Sequence, residues 1–218
     1  MKKYISFAVS LVLFSVSACT SSTSATAGST KSASPDTTSA SNSSDKTKKD
    51  GEPSTNAKPE TGALTDWQDY SSRTGKFSVK MPAKTEELAQ ETKTDVGKIK
   101  INMTVAEKNS SAYMVGYNDY PEKFADSEIQ IRLTKAMEGF VTGSIQGEVK
   151  SSKKSMLGET PCLDFEGVGK IQSIDAFAKG RICIADNIRL YQVVAVGPSD
   201  QFSNSDVDRF VSSFKINK

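Results

Sequence analysis

Residues 160–185 read TPCLDFEGVGKIQSIDAFAKGRICIA, and the fold can be built outward from how this stretch pairs with itself. Thr160 to Val168 and Ala176 to Ala185 alternate apolar and polar residues, the period of a strand with one buried face. If the two runs pair antiparallel with Cys162 facing Cys183, Asp164 falls opposite Arg181 and Glu166 opposite Lys179. Each such opposite-charge pair contributes about 0.2–1 kcal/mol. A one-residue slip would lose both pairs and part Leu163 and Phe165 from Ile182 and Ile184. The register therefore predicts a largely polar, solvated face bearing Cys162, Asp164, Glu166, Lys179, Arg181 and Cys183. The opposite face, with Leu163, Phe165, Ala178, Ile182 and Ile184, is the predicted core. A Cys162–Cys183 disulfide fits this pairing, with two free thiols on adjacent strands as the alternative.

On either side, Glu148 to Leu157 and Ile188 to Gly197 are further strand runs, joined to the central pair by Gly158-Glu159 and Asp186-Asn187 at hairpin spacing. Upstream the period changes from 2 to 3.6. Ile129, Leu133, Ala136, Met137 and Phe140 form one apolar stripe, with Asp126 or Ser127 as N-cap and Gly143 as the predicted helix end. Such a helix reads as a lid on a sheet. Earlier still, Lys76 to Met81 (stopped by Pro82), the polar run Glu86 to Lys93, Lys98 to Val105 and Ala112 to Tyr120 read as strands. Ser203 or Asn204 can cap a last helix carrying Val207, Phe210 and Val211. Consecutive hairpins with helices between and after them predict an α+β domain, an antiparallel β-sheet flanked by helices, over residues 66–218.

The first eighteen residues differ in kind. Lys2 and Lys3 precede an apolar run, Ile5 to Val16, that is shorter than the roughly 20 residues of a membrane span, and Ser17 and Ala18 are small. The expectation is a signal peptide over 1–18. Val16-Ser17-Ala18-Cys19 resembles the lipobox of bacterial lipoproteins, which implies lipidation at Cys19 and attachment to a membrane through that lipid. Two or three acyl chains, at about 0.8 kcal/mol per buried methylene, hold a protein on a bilayer where one would not. With Cys19 so used, Cys162 and Cys183 are an even remainder in an exported protein, which again points to a disulfide. Thr20 after the cysteine favours an outer membrane if the cell has one, otherwise the plasma membrane, on the extracytoplasmic side.

Residues 19–65 form the expected tether. Between Thr20 and Thr65, Leu64 is the one large apolar residue, and Ser and Thr dominate. Such a composition cannot bury enough surface to offset chain entropy, so a disordered linker is predicted, spanning roughly 35–40 Å as a flexible coil.

Charge and composition exclude several classes. The chain has 28 Lys and Arg against 26 Asp and Glu; without Lys2 and Lys3 it is balanced. That balance gives no basic bias for a phosphate backbone, so nucleic acid is not an expected partner. The absence of histidine removes Ser-His and Cys-His nucleophile pairs and histidine-bearing zinc sites. There is no Gly-rich phosphate loop, metal-ligand cluster or nucleophile elbow. Asp206 and Asp208 lack the oxygen ligands that Ca²⁺ needs. Tyr113, Tyr117 and Tyr120 could form a ligand platform but read better as packing. No catalytic residue, metal or cofactor is expected.

Gly75-Lys76-Phe77-Ser78-Val79-Lys80-Met81-Pro82 resembles the opening strand of PsbP-like domains, and Leu157-Gly158-Glu159-Thr160-Pro161 resembles their central hairpin. Arg189 to Gly197 followed by Arg209 to Phe214 is similar to their closing strand, helix and tail. The resemblance implies a PsbP-like α/β/α sandwich. Such relatives include photosystem II extrinsic subunits, a Ran-binding import factor and many uncharacterised bacterial lipoproteins, and they share no catalytic residues, so no activity transfers. The sequence thus leads to a non-enzymatic, lipid-anchored accessory protein that binds an envelope protein or complex. The alternatives are a lipid- or small-molecule-binding domain using the space between sheet and helix, and a hydrolase that would need two close, unpaired carboxylates.

Overall fold

The computed structural model describes residues 67–94 and 97–217. The expected signal peptide at 1–18, lipidation at Cys19 and linker over 19–65 lie outside the described residues.

Seven of the eight predicted strands form one antiparallel sheet. In chain order its members are β3 (Glu86–Thr94), β4 (Gly97–Lys108), β5 (Ser111–Asp119), β6 (Glu148–Leu157), β7 (Thr160–Ile171), β8 (Ile174–Ala185) and β9 (Arg189–Pro198). In space the order is β3-β4-β5-β9-β8-β7-β6. β7 and β8 pair in the register that the charges select, with Cys162 opposite Cys183, Asp164 opposite Arg181 and Glu166 opposite Lys179. Both strands run further than expected. Gln172 and Ser173 turn the hairpin in two residues, both at positive φ, where the sequence suggested a longer loop. Those two left-handed residues match the right-handed twist of the flanking strands.

The first helix, α1 (Asp126–Ile145), covers one face of this sheet. Leu133, Met137 and Phe140 sink into Leu163, Phe165, Ile182 and Ile184, as their spacing requires. Both predicted ends of α1 need correction. The N-cap residue is Ala125, not Asp126 or Ser127. The Glu128 carboxylate accepts the Ala125 N–H at 3.0 Å, while the Asp126 carboxylate accepts from Asn187 Nδ2 in the β8–β9 turn. Tertiary contact has therefore drawn the best capping side chain away from the helix. At the other end the helix passes through Gly143, because Val141 and Ile145, one and two turns beyond Met137, are fully buried. Gln146 takes the left-handed cap position instead, at φ 47°. Gly147 follows where a Cβ would lie 2.0 Å from the Val168 carbonyl oxygen, so glycine is needed there for close approach rather than for the turn.

The second face departs from the sandwich that the resemblance implies. It is covered not by helix alone but by a second, three-stranded sheet together with α2 (Asn204–Ser213). This small sheet places β2 (Phe77–Met81) between β1 (Gln68–Ser72) and β10 (Lys215–Ile216). β1 and β10 are short and largely exposed, which is why neither shows a clear alternation. Phe77, Val79 and Met81 from β2 and Val207 and Phe210 from α2 bury against Tyr113, Val115, Tyr191 and Val193. Trp67 closes this core edge-on to Tyr113 at 5.7 Å, with the Arg209 guanidinium 5.0 Å above its ring. Ser203 caps α2 through a hydrogen bond from the Asp206 N–H, as expected.

The face that bears the cysteines is not solvated throughout. Cys162 and Cys183 are buried within the second core. They are joined as a disulfide, their Cα atoms 4.1 Å apart. The charged residues farther along the same strands stay partly exposed, because α2 stops short of β6 and β7.

Candidate functional site

Where α2 stops short, it leaves a cavity of about 370 Å³, floored by β6, β7 and β8 and walled by Asp208, Val211 and Ser212 of α2. Strand pairing lays the floor out in rows. One row runs Lys153, Asp164, Arg181 from the sheet edge inward; the next runs Ser151, Glu166, Lys179. Alternate residues of a strand point to the same face, so these rows stand beside each other on the groove side.

Ion pairs occupy most of this floor. Arg181 holds Asp164 in a fork, Nε to Oδ1 at 2.6 Å and Nη2 to Oδ2 at 3.1 Å. A bidentate guanidinium–carboxylate pair fixes both side chains in one plane. Lys179 lies 2.8 Å from Asp208 of α2 and 3.7 Å from Glu166. It thereby ties the groove wall to its floor. No carboxylate of the groove is left without a cation, and no two of them form the close, unpaired couple that acid/base hydrolysis requires. The Lys153 side chain, on the outer strand, makes no ion pair or hydrogen bond among the described residues and stands exposed at the groove lip.

The other candidates resolve into packing or structural pairs. Ile129, Leu133, Met137 and Phe140 fill the space between sheet and α1, each less than a tenth exposed. A lipid or small molecule placed there would have to displace them. Tyr113 and Tyr117 belong to the second core and Tyr120 packs on Phe124, so the tyrosines form no platform. Asp206 is held by Lys108 at 3.0 Å. No group of three metal-ligating side chains occurs among the described residues, and none of their helices is long and apolar enough to cross a membrane.

A second polar cluster stands where the β1–β2 turn meets β5 and β9. Arg189 holds Asp119 through Nε and Nη2 at 2.5 and 2.6 Å, donates through Nη1 to the Thr74 carbonyl, and stacks over Tyr117. Its hydrogen bond and charge hold the Asp119 carboxyl below the usual carboxylate range, and the same bond raises Arg189. Tyr191 donates its hydroxyl to the Gly75 carbonyl at 2.7 Å, and burial pushes its phenol up. These groups are spent on securing the turn of the small sheet to the large one. The cluster is structural.

Sequence reading placed Asp164, Glu166, Lys179 and Arg181 together but missed Lys153 and the α2 wall. The signal for Lys153 was the lysine-rich run Lys150, Lys153, Lys154 in a strand with little to bury, a composition typical of sheet edges. The wall had no local signal, because it depends on where α2 crosses the sheet.

No family model matches the chain, and no curated protein matches it. Among solved structures it is similar to the solution structure of cyanobacterial PsbP (CyanoP) from Synechocystis sp. PCC 6803. The two are 14% identical; the match covers 74% of this chain and 98% of that one, with a TM-score of 0.46.

Proposed function

We propose that this chain is a non-enzymatic, lipid-anchored protein of the cell envelope whose β6–α2 groove binds another envelope protein. The observation that carries the reading is the groove itself: a concave surface whose carboxylates are already neutralised by Arg181 and Lys179. Pre-paired charges of this kind supply shape and orientation to a partner and leave no unpaired carboxylate in the groove. Lipid on Cys19 would hold the domain on the extracytoplasmic side, and the Ser/Thr-rich stretch over 19–65 would let it reach partners away from the bilayer surface. The lipid- or small-molecule reading loses its support because the space under α1 is occupied by core side chains.

Crosslinking in intact membranes followed by capture of the full chain tests the proposal. A reproducible envelope protein is expected, its yield falling when Val211→Asp alters the groove wall. Cys19→Ser should move the chain from the membrane to the soluble fraction. No reproducible partner across independent captures would defeat the binding function, and continued membrane attachment of Cys19→Ser would defeat the anchor.

A further inference from the structure

Resting on the binding reading above, we propose that the partner docks at the lip of the groove through an extended acidic segment, added as an eighth strand along the outer edge of β6. β6 ends the seven-stranded sheet and pairs with β7 alone, so its outer row of backbone N–H and C=O groups has no strand partner among the described residues. An irregularity between Val149 and Ser151 interrupts the β6 ladder and leaves Ser151–Leu157 as the regular edge. An extended peptide can satisfy such a row with its own main chain, the side chains then setting specificity.

The side chains already on the sheet state which charge that strand should carry. The row through Asp164 alternates in sign from the edge inward: Lys153 positive, Asp164 negative, Arg181 positive. It ends at the edge on a cation with no protein partner among the described residues, so the position one strand further out calls for a carboxylate. On the other face Lys154 stands opposite Leu163, equally exposed and equally without a charged partner there. Successive residues of a strand face opposite sides, so two consecutive Asp or Glu residues would meet Lys153 and Lys154 in turn. The same lysines act against a second copy of the chain. Antiparallel pairing of β6 with itself about this segment would set lysine against lysine, a repulsion that guards an open edge from self-association while leaving it open to an acidic strand.

The probe is a fluorescent synthetic peptide of strand-forming residues around a central Glu-Glu, titrated by anisotropy against the full chain in detergent, beside the same peptide with Gln-Gln. The acidic peptide should bind about tenfold more tightly. Lys153→Glu/Lys154→Glu should cancel that preference and bind a Lys-Lys peptide instead, while Lys135→Glu on α1 should change nothing. Both lysines are exposed, so an unchanged thermal midpoint will show that the variant folds. Amide exchange should slow within 151–157 when the acidic peptide is present. Equal binding of the two peptides, no binding at all, or unchanged binding by the double variant would overturn the inference. So would protection appearing elsewhere, or membrane crosslinking that captures a second copy or only anionic lipid. If the double variant still captures the envelope partner of the wild-type chain, the acidic-strand inference falls and the binding function stands. If the wild-type chain captures none, the binding function itself fails.

Discussion

Reducing the bond between Cys162 and Cys183 should cost this domain about 3 kcal/mol. The two residues are 21 apart in sequence, and closing a loop of that length removes about 3 kcal/mol of chain entropy from the unfolded state at 25 °C. The native side of the balance changes little, because β7 and β8 keep their ladder from Cys162 to Ile171 without the bond. With an unfolding entropy of about 2.1 cal/mol/K per residue over roughly 150 residues, the midpoint should fall by about 10 °C. Both sulphurs belong to residues that are 1% exposed or less, so reductant must be added to unfolded protein and refolding carried out in its presence. Urea unfolding of oxidised and reduced samples should give a lower midpoint for the reduced form. Its slope should rise modestly, since the uncrosslinked chain exposes more surface. Identical midpoints would refute the loop-entropy reasoning. Free Cys162 and Cys183 thiols in freshly isolated protein, found by mass analysis of non-reduced digests, would refute the bond.

Three further outcomes follow from the second core and the turn cluster. Burial, with a smaller push from Asp206, raises the Tyr113 phenol to about 12. A proton is therefore held more tightly folded than unfolded. Stability present below pH ~10 should be lost as pH climbs toward 12, by roughly 2–3 kcal/mol, and Tyr113→Phe should remove that part of the alkaline decline. Asp119 has the opposite sign. Its folded pKa is depressed by Arg189, so its contribution is full above the ordinary carboxylate value and disappears as pH falls through the lower folded value; Asp119→Asn should flatten the acid limb of a stability–pH curve. Its carboxylate is half exposed, so the effect should stay below about 1 kcal/mol. Phe210→Ala, at a wholly buried ring edge-on to Tyr113, should cost about 3–5 kcal/mol in urea unfolding and loosen α2 first, seen as faster amide exchange over 204–213.

Local pattern settled what local physics controls. The period-2 runs, the Gly158-Glu159 turn and the α1 stripe each depend on neighbours within a few residues and appear where the sequence places them, with strand ends shifted by up to three residues and Ile188 joining Asp186 and Asn187 in the β8–β9 turn. The β7–β8 register was also legible, because two charge pairs and a cysteine pair agree on one alignment and a slip loses all three. The ends of α1 were not. Asn187, 61 residues from Asp126, takes the carboxylate that would have capped the helix, and burial of Ile145 carries the helix past Gly143.

The candidate site divides along the same line. Which charges share a face is a matter of strand parity, and the sequence alone determines it for Asp164, Glu166, Lys179 and Arg181. That this face is part core and part groove is tertiary. α2 and the β1-β2-β10 sheet cover the end holding Cys162 and Cys183, while Asp208 reaches Lys179 only because α2 crosses beside it. That β6 stands at the edge, with Lys153 unspent, depends on strand order, which arises from contacts distant in sequence. Residue spacing determines a strand's two faces; only packing of the whole chain decides which face meets water and which strand is left without a neighbour.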